Sequence, residues 1–211
     1  MTRANAPAVF LIDDDVVVRE AAAAATRALE LPLEVLVSPN AYLKQFDPQQ
    51  PGCLVVDVHF SGTSGLDLLE RFQRERVFVA SVAVAATPDV LTVVRAMRAG
   101  AVTFLNKPLT EEQIAGALDE ALARDDDFRR RQARIDRTRR RIEKLTEGET
   151  DVLKLLAAGK MNREIGETLN VSVRAVEVRR AKIMEKMKAD TLPELLRDVF
   201  FLEFSSEEEL W

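Results

Sequence analysis

Five short apolar stretches, each divided from the next by a helix-like stretch, constrain this chain more than any other feature. They occupy residues 9–12, 33–37, 53–56, 77–84 and 102–105 and are rich in valine, leucine and isoleucine. Runs that are apolar throughout, rather than alternating, belong to strands covered on both faces, as in a parallel sheet. Helical spacing fills the intervals at 16–29, 41–46, from after Gly65 to about Arg74, and at 90–99, with Gly100 placed to end the last of these. The expectation is an α/β unit with a parallel sheet between two layers of helices.

In such sheets ligands bind beyond the carboxyl ends of the strands. Here those ends carry Asp13 and Asp14, Asp57, and Lys107. A single acid after a strand is usually a turn former or helix cap, and Asp15, just before Val16, is assigned that role. Three carboxylates on one rim are different, because neighbouring like charges oppose each other's ionisation. A hard cation such as Mg2+ relieves that conflict and takes oxygen ligands. A lysine adds a point charge suited to phosphoryl oxygens. The set reads as a magnesium-assisted phosphoryl site with a carboxylate available as nucleophile.

Composition removes several alternatives. A lone cysteine, Cys53, cannot form an internal disulfide, and one histidine with one cysteine cannot build a Cys/His zinc site. No apolar run approaches the roughly 20 residues needed to cross a bilayer. The first twelve residues run into three aspartates without a signal-peptide pattern. A cytoplasmic protein without a membrane partner is expected. Charge is uneven: net −6 over residues 1–122, +5 over 123–145, +1 over 146–192 and −5 over 193–211. An acidic front, a basic middle and an acidic tail suggest segments with different partners.

The joint pattern of Phe10-Leu-Ile-Asp13-Asp14-Asp15, Leu54-Val-Val-Asp57 and Gly100-Ala-Val-Thr-Phe104-Leu-Asn-Lys107-Pro108 resembles a two-component receiver domain over about residues 8–122. The resemblance implies a flavodoxin-like fold with strand order 2-1-3-4-5, an arrangement in which the switch-point rule is already known to hold. It implies that Asp57 accepts a phosphoryl group from a sensor histidine kinase. Asp13 and Asp14 would hold Mg2+ together with Asp57 and the backbone carbonyl of His59. Lys107 would pair with the phosphoryl oxygens, and Phe104 would be the rotamer-switching aromatic. Two positions depart from the family pattern. The switch hydroxyl falls on Ala85, with Thr87 two positions later, and Ser61 stands where a proline is usual. A hydrogen bond to a charged group is worth roughly 1.5–3 kcal/mol, so Ala85 weakens the expected coupling to Phe104.

From Thr110 the pattern is one helix running into a second domain. Ala121, Phe128, Ile135 and Ile142 recur every seven residues, whereas Leu118, Asp125, Gln132 and Arg139 beside them are mostly polar. This is half a coiled-coil seam, and a dimerising helix or a charged connector both remain open. Beyond it, Thr146 and Glu149 form a capping box, Gly159 ends the helix they start, a second helix covers about 162–169, and Ser172 caps a third to about Lys188. Two short helices joined by a tight turn read as helix-turn-helix, the second a candidate reader of the major groove. From Ser172 to Lys188 six basic residues stand against two acidic ones.

The residues Leu145-Thr-Glu-Gly-Glu-Thr-Asp-Val-Leu, Asn162-Arg-Glu-Ile-Gly and 171–187 are similar to the four-helix LuxR/NarL/FixJ output domain over about 142–202. That resemblance implies base contacts around Glu177, Val178 and Ala181, and phosphate contacts from Arg174, Arg179, Arg180, Lys182 and Lys186. Gly166 stands where the family often has alanine, a loss of roughly 1 kcal/mol of helix stability. The last helix, near 192–202, often carries dimerisation on DNA in the family. Trp211 and Phe204 lie in or beside the acidic tail.

The expected organisation is a receiver at 1–122, a helical linker and possible coiled coil at 123–144, and a helix-turn-helix domain with its tail at 145–211. The expected function is a phosphorylation-controlled transcription factor, not an enzyme, binding paired half-sites on promoter DNA as a homodimer. One alternative is a degenerate receiver, motivated by Ala85, that binds DNA regardless of phosphorylation. A remote one is a haloacid-dehalogenase-like phosphatase, because Asp13-Asp14-Asp15-Val16-Val17 fits that family's nucleophile motif; such an enzyme needs a further strand and acidic pair after its lysine.

Overall fold

The computed structural model describes residues 6–60 and 64–205, so Ser61, Gly62, Trp211 and the acidic residues 207–209 lie outside it. The chain divides into two compact units, one through Arg129 and one from Arg130.

The first unit runs β1 (Ala8–Ile12), α1 (Val16–Ala28), β2 (Leu33–Leu36), α2 (Pro39–Gln45), β3 (Gly52–Asp57), α3 (Gly65–Arg74), β4 (Ser81–Ala85), α4 (Val90–Arg98) and β5 (Ala101–Asn106), then enters α5 (Glu111–Ile142). The five strands pair in parallel in the order β2-β1-β3-β4-β5. Every residue of β3 and β4 is buried, which explains why these strands read as unbroken apolar runs. Alternate residues face opposite layers. Val55 and Val82 pack with Val18 and Ala22 of α1 and with Ile114 and Leu118 of α5; Leu54, Val56 and Ala83 pack with Leu66, Leu69 and Phe72 of α3. Parallel pairing brings Ile12 beside Val56, Asp57 beside Val84, and Ala85 beside Asn106, so the strands finish along one edge.

The fourth apolar run corrects the sequence reading. Pairing begins at Ser81, and residues 77–80 are not strand. Arg76, in the left-handed region at φ 53°, turns the chain, and Phe78 stacks on Phe128 with ring centroids 4.1 Å apart. Val77, Phe78 and Val79 are apolar because they pack against the core, while the Ala80 carbonyl leads into the strand by accepting from Leu54 N–H at 2.9 Å.

The seven-residue recurrence along α5 is also spent inside the chain. In the first unit Ala121 is buried in the sheet core and Phe128 stacks on Phe78. Asp125, at a polar seam position, is buried: its carboxylate accepts from Gly52 N–H at 3.0 Å and from Arg129 Nε at 2.7 Å. Arg129 also donates to the carbonyls of Pro48, Gln49 and Gln50. In the second unit Ile135 is buried and Ile142 packs against the helical core. The four apolar positions of the half-seam therefore have packing partners within their own chain.

The second unit continues with α6 (Glu147–Ala157), α7 (Asn162–Leu169), α8 (Val173–Met187) and α9 (Leu192–Ser205). Val152, Leu156, Ile165, Val176, Ile183 and Leu195 form its centre. Both halves of the Thr146–Glu149 capping box are made. Asn170, left-handed at φ 53°, ends α7, and the Ser172 hydroxyl then accepts from Ala175 N–H to start α8. A Cβ on Gly166 would stand 2.9 Å from the Val171 carbonyl oxygen, so the turn would have to shift to admit alanine. The expected stability loss from this glycine is thus offset by the close turn it permits.

Candidate functional site

At the edge where the strands end, three side chains meet. Lys107 Nζ donates to Asp57 Oδ2 at 2.6 Å and to Asp13 Oδ1 at 2.8 Å. Asp13 is delivered by β1, Asp57 ends β3, and Lys107 follows β5, its position held by a 2.8 Å hydrogen bond from its N–H to the Ala85 carbonyl. The other oxygen of Asp57, Oδ1, accepts from the His59 N–H at 2.7 Å, which fixes the plane of the carboxylate. Gly65 keeps the floor of the site clear, since a Cβ there would lie 2.1 Å from the Asp57 carbonyl oxygen. Asp57 is nearly buried yet retains some access, its side chain 11% exposed.

The electrostatics follow from this packing. Burial holds the Asp13 carboxyl above its ordinary range, and the hydrogen bond from Lys107 only partly offsets it. Burial disfavours the Lys107 ammonium, but the hydrogen bonds to Asp13 and Asp57 outweigh it, so this lysine titrates above its usual value. A raised carboxyl value means that the folded state binds more protons than the unfolded one across the interval between the two values. Stability at this group therefore falls as pH rises from the ordinary carboxylate value through the raised one, and the loss persists above it. Asp13→Asn is expected to gain stability relative to wild type across that interval, read as the difference in urea midpoint between about pH 4 and pH 7. A difference that does not change with pH would contradict it.

Asp13 Oδ2 is buried and has no hydrogen-bond partner. An orphaned carboxylate oxygen beside a second carboxylate is the right kind of donor for a hard cation. Among the described residues no three acidic or imidazole side chains form a closed cage, and Lys107 is the counter-ion between Asp13 and Asp57; Mg2+ takes one or two carboxylates and completes its shell with other oxygens. Asp14 is exposed and makes no ion pair with any described residue. Asp15 caps α1 as expected, accepting from Val17 N–H, and its other oxygen also stands 3.9 Å from Lys107.

The remaining expected residues are spread around this centre. His59 is exposed and touches Asp57 through its main-chain N–H. Ala85 is fully buried at the end of β4 and offers no hydroxyl; Thr87 is exposed in the following loop. Phe104, opposite Ala83 on β5, is half-buried against the α3–α4 side of the sheet.

On α8, Val176, Ile183 and Met187 face inward, while Arg174, Glu177, Val178, Ala181 and Lys182 are exposed. The three other basic residues differ. The Arg179 guanidinium lies over Gly148 of α6, where a Cβ would meet it at 3.1 Å. Arg180 lines a cleft with Met161, Arg163 and Leu196. Lys186 is paired at 2.6 Å with Glu149, whose carboxyl is held below its usual range by that hydrogen bond and by the capping N–H of Thr146. The capping-box motif showed Glu149 as a cap, but nothing local to either residue signals a partner 37 positions away.

Residues 9–119 match the response regulator receiver domain family, and residues 143–198 match the bacterial regulatory proteins of the luxR family. The chain is 37% identical to the transcriptional regulatory protein FixJ of Azorhizobium caulinodans over 90% of each chain. It is 31% identical to the response regulator protein TodT of Pseudomonas putida, over 92% of this chain and 85% of that one. Among solved structures it is similar to the response regulator StyR, with a TM-score of 0.81 and 32% identity over 92% of this chain and 98% of that one.

Proposed function

Because this chain belongs to the response regulators of the FixJ/LuxR type, transcription factors joining a receiver domain to a LuxR-type DNA-binding domain, we propose that Asp57 is its phosphoacceptor, served by a sensor histidine kinase and Mg2+, and that phosphorylation controls dimeric binding to paired half-sites on promoter DNA. We take residues 1–122 as the receiver, 123–144 as the linker and 145–211 as the output domain with its tail. The supporting observation is the convergence of Lys107 on Asp57 and Asp13 at the ends of three strands.

In this reading one oxygen of Asp57 attacks the phosphorus of a phosphohistidine and the imidazole leaves. Lys107 and the His59 N–H hold the carboxylate before attack, so little reorganisation is needed. Once the phosphoryl group is attached, the Lys107 ammonium is positioned to pair with its oxygens. Asp13, with its unpartnered oxygen, together with Asp14, Asp57 and the His59 carbonyl would hold Mg2+, which when bound neutralises charge on the transferred group. The phosphatase alternative has less to stand on, since no strand follows β5 among the described residues.

The test is a titration of promoter DNA with the chain before and after treatment with a small phosphodonor and Mg2+; tighter binding after treatment is expected. Ala85 supports a second reading. With no hydroxyl at the end of β4, the phosphoryl group lacks one tie to the β4–α4 loop, and the chain binds DNA to the same extent in both states. Unchanged DNA affinity despite a phosphorylated Asp57 would select this reading.

The α8 residues separate in a salt series. Each phosphate neutralised contributes about one unit to the slope of log K against log salt. Lys182→Ala is expected to flatten that slope by about one unit with little change in stability. Lys186→Ala is expected to leave the slope nearly unchanged and lower the melting temperature, since it strips Glu149 of its ion pair. Equal slopes for wild type and Lys182→Ala would place the DNA face elsewhere.

A further inference from the structure

We propose that the second unit carries an anion site for a multiply charged phosphate group, walled by the C-terminal half of α5, the end of α8 and α9. A cavity of about 380 Å³ opens there. That exceeds the roughly 30 Å³ share of one water and lies within the range of small-ligand sites. Its cations are Arg134, Arg137, Arg141, Lys188 and Arg197, against the two carboxylates of Glu194 and Asp198.

Some of this charge has structural work. Arg134 pairs with Asp198 at 2.8 Å and lies over the Phe201 ring. Arg141 donates to the Met187 carbonyl at 2.8 Å, satisfying the end of α8. The rest is not explained that way. Arg137 and Lys188 form no ion pair or hydrogen bond through their side chains with any described residue, and Arg197 reaches Glu194 only at 3.9 Å. Lys188 is held by its left-handed backbone at φ 53°, immediately after the carbonyl that anchors Arg141. The exposed Lys188 therefore leaves the backbone at the residue next to the one that holds Arg141.

Thr138 supplies an independent indication. It lines the cavity and is 2% exposed; its hydroxyl forms no hydrogen bond with any described residue and opens onto the solvent in the cavity. Thr26 and Thr168, also on helices, return theirs to a carbonyl four residues back. A hydroxyl facing the cavity beside Arg137 and Lys188, which pair with no described residue, suits an anion with several acceptor oxygens, and arginine forks match phosphate in particular. Two sources share this chemistry: a soluble phosphorylated small molecule and the phosphates of a nucleic-acid backbone. The site does not depend on phosphoryl transfer at Asp57.

The probe is sodium diphosphate, titrated calorimetrically into the full chain without Mg2+ and at constant ionic strength. Saturable binding is expected, weakened roughly tenfold or more in the double variant Arg137→Ala, Lys188→Ala and more mildly in the isosteric Thr138→Val. Helical circular dichroism matching wild type verifies that the variants fold. Displacement of diphosphate by a short DNA duplex, with a flatter DNA salt slope in the double variant, assigns the site to backbone phosphate. Diphosphate binding indifferent to duplex assigns it to a soluble ligand. Absence of saturable binding, or equal affinity in wild type and the double variant, overturns the proposal.

Discussion

The Asp57→Asn protein, incubated with a small phosphodonor and Mg2+, is expected to gain no phosphoryl group, where the wild-type chain gains one per molecule by intact mass. The amide that replaces the carboxylate is a far poorer nucleophile, and the two neighbouring carboxylates among the described residues are ill-placed to substitute. Asp13 is fully buried at its side chain and engaged by Lys107, and Asp14 pairs with no described lysine. An intermediate result is expected of Lys107→Ala: modification still occurs but its consequences for DNA affinity shrink, because the ammonium bound to Asp57 at 2.6 Å is the group placed to report the new charge. Retention of the adduct in Asp57→Asn would move the phosphoacceptor to another residue. Loss of the adduct with a DNA affinity that never depended on it would leave the acceptor assignment intact and favour the reading built on Ala85.

The largest stability effect is expected from Asp125→Ala, about 3 kcal/mol of unfolding free energy in urea titrations. Asp125 is buried and joins three parts of the first unit: α5 itself, the N–H of Gly52 at the start of β3, and Arg129, which in turn holds the loop carbonyls of residues 48–50. Its removal leaves a buried N–H unsatisfied and a partly buried guanidinium without its counter-charge, and both penalties are incurred together. Asp125→Asn retains an acceptor for Gly52 and is expected to lose less. A cost below about 1 kcal/mol for Asp125→Ala would show that the clamp is no stronger than a surface ion pair.

These two residues also show how differently a sequence discloses its parts. Asp57 was legible because a strand signal ends on it, and the expected helices and strands were legible for the same reason: apolar periodicity, capping residues and left-handed turns act over a few neighbouring positions. Asp15, Ser172 and the Thr146–Glu149 box were placed correctly from such local signals. The order of the strands is not contained in the periodicity of any one of them and was available only through the resemblance to receiver domains. Asp125 looked like a polar break in a half-seam, since its partner Gly52 lies 73 positions away.

Local patterns in the chain sufficed to establish where helices and strands form, which side chains stand at the strand ends, and that a basic helix follows a tight turn. Folding in three dimensions settled which of those side chains meet. Asp13 is buried and faces Lys107 across 94 positions while its neighbour Asp14 faces solvent; Lys182 pairs with no described residue while Lys186 is tied to Glu149; residues 77–79 pack on the core instead of extending β4. The division has a physical cause. Backbone hydrogen bonding and capping are short-range and repeat along the chain, whereas burial of a charge and the identity of its counter-ion depend on which distant surfaces are brought together.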